Sequence, residues 1–289
     1  MALQVHRFAT VDAYLAKVRP FLAAREAEHN LILSLCASIR RWPETFVGEP
    51  PSFHAVTGEG GRVVGAALRT PPNNQILSEA DDPAAADALA DALAGERLPG
   101  VIGPKLAARQ FAARWAAATG SRAQHVMAER LFQLDRVVPP RRPASGAWRT
   151  ASPADRQVVA TWFLAFLAEA IPNEARPDEP LQVADRWIEG TSRTLYLWDD
   201  HGTAVSMASA SGETPNGIRI GGVYTPPERR RRGYATSLTA AVSQDQLDRG
   251  RRFCFLFTDL ANPTSNHIYQ EIGYRVVTDV DVYTFDADA

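Results

Sequence analysis

Apolar positions recur at three- and four-residue spacing from Val11 through Tyr14, Leu15, Val18 and Leu22, and the pattern over 10–41 predicts helix up to Trp42-Pro43. The period then falls to two. Strands are predicted at 53–57 and 62–69, with Gly-Glu-Gly-Gly between them as a hairpin turn. Asp81-Asp82-Pro83 supplies a carboxylate cap and a first-turn proline for a helix over 83–94. A strand at 100–102, a helix at 104–119 and a strand-like run at 124–138 follow. Residues 137–146 carry three prolines and a glycine and read as a linker.

A comparable order returns after it: a short strand at Trp148-Arg149-Thr150, helices at 153–170 and 181–190, then strands at 193–198, 204–210 and 217–225. A helix at 234–249, a strand at 252–258, a helix at 263–272 and strands at 274–277 and 279–285 complete the chain. That alternation predicts an α/β (α+β) fold in which helices flank a mixed sheet. The expected organisation is a domain over 1–138, a linker over 139–146 and a domain over 147–289. The shared rhythm suggests two copies of one fold, with Gly100 to Lys105 as a second strand-to-helix passage; an unrelated α+β first domain is the alternative.

Composition narrows the partners. A chain of 289 residues with 45% hydrophobic and 22% charged positions can bury a sizeable core. A formal net charge of -2 gives no reason to expect nucleic acid. The charge is uneven, however: Arg229 to Arg232 form one dense basic cluster, which suits a small anion better than a polymer. Cys36 and Cys254 sit in apolar contexts without a C-x-x-C and read as reduced, buried thiols of a cytoplasmic protein. No segment has the look of a signal peptide or a membrane span, so no membrane partner is expected. The six histidines lack metal-ligand spacing, and no metal is expected. Lys17 and Lys105 are the only lysines, which argues against a catalytic lysine.

The cluster lies in Val223-Tyr224-Thr225-Pro-Pro-Glu-Arg-Arg230-Arg231-Arg232-Gly233-Tyr234-Ala235-Thr236, where an apolar strand breaks at two prolines and a helix begins at Gly233. A helix N-terminus presents unpaired N–H groups and the positive end of the dipole, and glycine lets a ligand approach the backbone. The reading is an anion-binding strand–loop–helix; a solvated surface turn is the plainer one. Downstream, Asn262-Pro-Thr-Ser265-Asn-His-Ile-Tyr269-Gln-Glu-Ile-Gly-Tyr274 opens a helix on an asparagine cap and places Ser265 and Tyr269 on one face.

Together these motifs resemble the GCN5-related N-acetyltransferases (GNAT), bacterial members among them. Arg230, Gly233 and Ala235 fill that family's Arg/Gln-x-x-Gly-x-Gly/Ala core, and Asn262, Ser265 and Tyr269 fill its Asn-x-x-Ser-x-x-x-Tyr block. The resemblance covers the C-terminal half and implies two GNAT-like domains, the first degenerate. It implies an acyl-CoA-dependent N-acyltransferase that moves acetyl from acetyl-CoA to a primary amine of a small molecule or peptide. Arg230 to Thr236 would hold the pyrophosphate, while Val223, Tyr224 and Thr225 would line the thioester. Asn262 and Ser265 would lie along the coenzyme, and Tyr269 would act as general acid.

No carboxylate stands on the strand leading into the loop, so Glu213, Asp259, a water chain or no base at all remain open. Tyr269 also reads as a core aromatic, Asn262 as a cap alone, His267 as a surface residue, and Trp162, Trp187 and Trp198 as core. Glu169, Glu174, Asp178 and Glu179 hint at a cationic acceptor. A non-catalytic acyl-CoA sensor of the same fold is the rival. Phosphoryl transfer is disfavoured because no G-x-x-x-x-G-K-S/T is present.

Overall fold

Thr10 accepts the N–H of Ala13 at 3.2 Å through its side chain, and this cap separates β1 (Gln4–Phe8) from α1 (Val11–Ala24). The computed structural model describes residues 3–46, 48–170, 179–190 and 193–286. The single helix expected over 10–41 is two, because α2 (Asn30–Arg41) starts afresh. Between them the side chains of His29 and Asn30 take the carbonyls of Leu22 and Ala27 at 3.0 and 2.6 Å, which draws the backbone out of the helical ladder.

The first half continues as β2 (Ser52–Thr57), β3 (Val63–Arg69), β4 (Gln75–Leu77), α3 (Ala84–Leu93), β5 (Gly100–Pro104), α4 (Lys105–Thr119) and β6 (Arg122–Leu134). The second half is β7 (Ala147–Thr150), α5 (Arg156–Ala170), α6 (Pro180–Ile188), β8 (Arg193–Asp200), β9 (Thr203–Ser211) and β10 (Gly217–Tyr224), then α7 (Tyr234–Asp248), β11 (Phe253–Asp259), α8 (Pro263–Glu271) and β12 (Arg275–Asp286). Both halves therefore run β-α-α-β-β-β-α-β-α-β. Gly100 to Lys105 does pass from a strand, β5, into a helix, α4, and in this order it corresponds to the passage from β11 to α8. The segment matching the arginine loop is the one between β4 and α3, and it reads Ser78-Glu79-Ala80-Asp81-Asp82-Pro83.

Two compact units result, Met1–Leu131 with Val277–Ala289, and Phe132–Val276. In the first, β1 to β4 pair antiparallel in succession, β5 joins parallel to β4, and β12 closes antiparallel on β5 from Val280↔Pro104 to Thr284↔Gly100. The two strands expected at 274–277 and 279–285 are thus one strand, with Phe285 stacked 5.6 Å from Trp115. One apolar layer of this unit gathers Leu89, Leu93, Phe111 and Trp115, and the other Tyr14, Leu22, Ile32 and Phe53.

In the second unit β7, β8, β9 and β10 pair antiparallel and β11 adds parallel to β10. Helices α7 and α8 pack on one face with Tyr196, Leu238, Leu256 and Tyr269, while Leu195, Leu197, Met207 and Tyr224 face α5 and α6. The proline-rich stretch 139–146 runs over the surface of this unit and is tied to it: Ala144 donates its N–H to Ser237 Oγ at 2.9 Å, and Trp198 Nε1 donates to Ser145 O at 2.7 Å. Among the described residues no helix is long and apolar enough to cross a membrane.

Candidate functional site

Strands β10 and β11 run parallel but share a ladder only from Gly217↔Phe253 to Arg219↔Phe255. Beyond that point their carboxyl ends part. The opening coincides with a bulge in β10: Gly221 opposes Ser209 and Tyr224 opposes Met207, so Gly222 and Val223 together face a single residue of β9. Gly222 sits at φ +59°, a conformation that glycine adopts without a Cβ penalty. Two serines fix the distortion. Ser209 Oγ donates to Gly221 O and Ser206 Oγ to Tyr224 O, each at 3.0 Å, and Ser206 also meets Thr225 Oγ1 at 2.8 Å. A Cβ placed on Gly221 would meet no atom within 4 Å, so the bulge borders open space.

The loop after β10 makes one 3₁₀ turn at Pro227–Arg229 and enters α7 through Gly233 at φ +80°. Arg231 is also left-handed, at φ +63°, unusual for a residue with a Cβ. Such alternation turns consecutive N–H groups into a concavity for an anion. No side chain caps α7, and its first helical bond to the loop is Ser237 N to Gly233 O at 2.9 Å. The N–H groups of Tyr234, Ala235 and Thr236 therefore precede the helical ladder. Arg231 and Arg232 are exposed beside them.

Besides Thr225, two further side chains of the loop's expected set are already engaged. Tyr234 is buried and donates its hydroxyl to Asp200 Oδ2 at 2.6 Å, so only its amide faces the loop. Arg230 donates Nε to Thr225 O at 2.8 Å and Nη2 to both oxygens of Glu169 at 2.9 and 2.6 Å. Its guanidinium also lies 5.7 Å from the centre of the Tyr224 ring.

Helix α8 starts at the same sheet edge, since β10 and β11 are parallel. Asn262 caps it by accepting the N–H of Ser265 at 3.0 Å. Two turns on, Tyr269 is 7% exposed, edge-on to Phe132 and Tyr274 at 6.4 and 6.1 Å. Burial pushes its phenol up to about 12, against a smaller opposing effect of the Ser265 hydrogen bond. The group is thus a protonated donor at neutral pH. The ring belongs to the core, as the plainer reading of Tyr269 expects, and its hydroxyl is the polar atom it carries to Ser265.

The candidate bases separate. Glu213 precedes β10 and pairs with Arg251 at 2.6 Å. The strand's eight residues span about 23 Å, so Glu213 stands at the wrong end. Asp259 lies at the carboxyl end of β11 and accepts the N–H of Ala261 at 2.8 Å. Glu179 precedes α6, whereas Glu174 and Asp178 lie outside the described residues. Among the described residues no group of three or more His, Cys, Asp or Glu is placed to hold a metal ion.

Sequence reasoning passed over Ser206, Ser209 and Asn266. Asn266 ties the end of β11 to the first turn of α8, donating to Asp259 O at 3.1 Å and Asn262 O at 2.8 Å, while its Oδ1 is buried without a partner. The two serines carry no periodic signal, but Gly221-Gly222 inside a strand is a legible sign of a bulge.

Residues 201–283, which hold both motifs, match the model of the FR47-like protein family. No curated protein matches the chain. Solved structures match over the whole length at low identity. A Drosophila protein is similar with TM-score 0.67 and 15% identity, over 97% of this chain and 98% of that one. A GCN5-related N-acetyltransferase from Sphaerobacter thermophilus follows at 0.61 and 18%, over 97% and 94%. A tandem GNAT protein from the clavulanic acid biosynthesis pathway matches at 0.56 and 15%, over 100% of both chains. The fold is therefore that of GNAT proteins, present twice in tandem, as the two motifs and the repeated element order imply.

Proposed function

We propose that this protein is an acyl-CoA-dependent N-acetyltransferase whose second half transfers acetyl from acetyl-CoA to a primary amine of a small molecule or peptide. The observation that carries the reading is the conjunction of a bulged, splayed end of β10 with an uncapped α7 N-terminus after it. The first offers backbone N–H groups outside the ladder, near Val223, for a thioester carbonyl. The second offers amides and Arg231 and Arg232 for the diphosphate. In this reading Asn262 and Ser265, at the start of α8, lie along the coenzyme.

In this reading the amine nitrogen attacks the acetyl carbonyl, forming the C–N bond and an oxyanion at the bulge amides. Collapse breaks the C–S bond and leaves a thiolate, while the nitrogen loses a proton to solvent or to a carboxylate at the strand ends. Positioning and charge stabilisation supply most of the rate. Tyr269 donates to the departing sulfur. A phenol at about 12 opposite a thiolate of ordinary pKa, ~8.5, stabilises the charge by hydrogen bonding more than by full transfer. The reading gives no role to a metal ion.

A sensor that binds acyl-CoA without turnover is favoured by one observation, the lack of a carboxylate on β10. Isothermal titration with acetyl-CoA, followed by thiol release across amino acids, polyamines, aminoglycosides and peptides, separates the two. Binding with turnover supports the enzyme, binding without turnover the sensor, and no binding at millimolar concentration defeats both.

A further inference from the structure

Arg230 carries the arginine of the loop motif, yet its guanidinium faces a carboxylate across 61 residues of sequence. Glu169 stands in the last turn of α5, and both of its oxygens receive Nη2 of Arg230 at 2.9 and 2.6 Å. The same guanidinium is steered by Thr225 O and rests against Tyr224, whose ring lies 6.4 Å from Trp162 of α5. One arginine therefore joins the end of α5, the end of β10 and the anion loop.

The first half offers an internal control. There Arg25, just past the end of α1, pairs with Asp81 in the segment between β4 and α3 at 2.5 Å. The joint is the same and the polarity is reversed: helix end cationic, loop acidic. In that half the next carboxylate, Asp82, already accepts the N–H of Ala84 at 2.9 Å, so the loop carries its own anion. In the second half the cation is on the loop, where an incoming anion competes with Glu169 for it. Both partners are partly exposed, at 42% and 47%, so the exchange requires no buried charge to be stripped.

We propose that Glu169 is a stand-in anion: it holds Arg230 while the loop lacks a diphosphate, and it yields the arginine when the diphosphate of CoA binds. Cosubstrate binding then releases the last turn of α5 from the loop, which makes Glu169 a positioning residue that couples the two. This inference rests on the acyl-CoA reading of the loop.

Titration calorimetry with CoA on the full chain tests it through a double-mutant cycle. Removing the competitor in Glu169→Gln is expected to tighten CoA binding about two- to fivefold, the range of an exposed pair. Arg230→Gln is expected to weaken it, and Glu169→Gln in the Arg230→Gln background is expected to change nothing further. Glu169→Asp should restore the original affinity. If Glu169→Gln leaves affinity unchanged or weaker, or tightens it equally without Arg230, the exchange is overturned and Glu169 acts as a plain structural or repulsive charge. Failure of the unaltered protein to bind CoA would instead remove the acyl-CoA reading itself, and the exchange with it.

Discussion

Asp82 accepts the backbone N–H of Ala84 through Oδ1 at 2.9 Å, whereas no side chain caps α7 at the matching place in the second half. The first helix thus has one carboxylate on its first N–H, while the second has no side chain there. The two helix starts therefore differ in charge although both halves share an element order. Asp82→Ala is expected to cost about 1 kcal/mol of stability by urea denaturation and to leave CoA affinity unchanged.

Tyr269→Phe removes a donor while keeping the ring between Phe132 and Tyr274. Turnover should fall roughly 10²-fold or more at unchanged CoA affinity. Because burial raises the phenol to about 12, the pH profile of the unaltered protein should show no loss of activity from Tyr269 between pH 7 and about 10. Turnover equal to that of the unaltered protein would remove the acid role.

Asp155 receives both terminal nitrogens of Arg149 at 2.7 and 2.8 Å and completes a capping box with Ser152 ahead of α5. The Arg149 hydrogen bonds, outweighing burial, hold its carboxyl down at about 2. Its folded pKa lies below its unfolded value of ~3.9, so the stabilisation is complete above about pH 4 and is lost as pH falls towards 2. Asp155→Asn should destabilise by roughly 1–3 kcal/mol at neutral pH and flatten that acid limb in denaturant titrations.

Gly222→Ala places a Cβ at φ +59°. The expected cost is roughly 1–2 kcal/mol, with weakened acetyl-CoA turnover because the bulge re-forms its ladder. A variant with unaltered thermal stability and turnover would show that the bulge tolerates a side chain.

Cys36 and Cys254 are buried, and burial pushes both thiols up to about 12. Neither should react with a thiol reagent on the timescale of minutes at pH 8 until the chain is unfolded in urea, when both titrate together.

What was legible in the sequence follows the range of the interaction. The arginine loop and the Asn262 to Tyr269 helix were readable because cap, glycine and arginines act within a few residues of one another. The sheet class was readable from alternation. The break inside 10–41 was not, since it depends on His29 and Asn30 turning to backbone carbonyls rather than on a proline or glycine. Strand β4 has three residues, too short to show a period, so the segment matching the arginine loop has no signal of its own. The pairing of Arg230 with Glu169 was not legible because the two lie 61 residues apart.

Strand β12 has a consequence for how the chain is made. Its residues from Val280 to Thr284 zip onto β5, so the N-terminal sheet stays unfinished on the ribosome until synthesis has run through the entire second half. A chain cut at its midpoint would separate β5 from the strand that pairs with it.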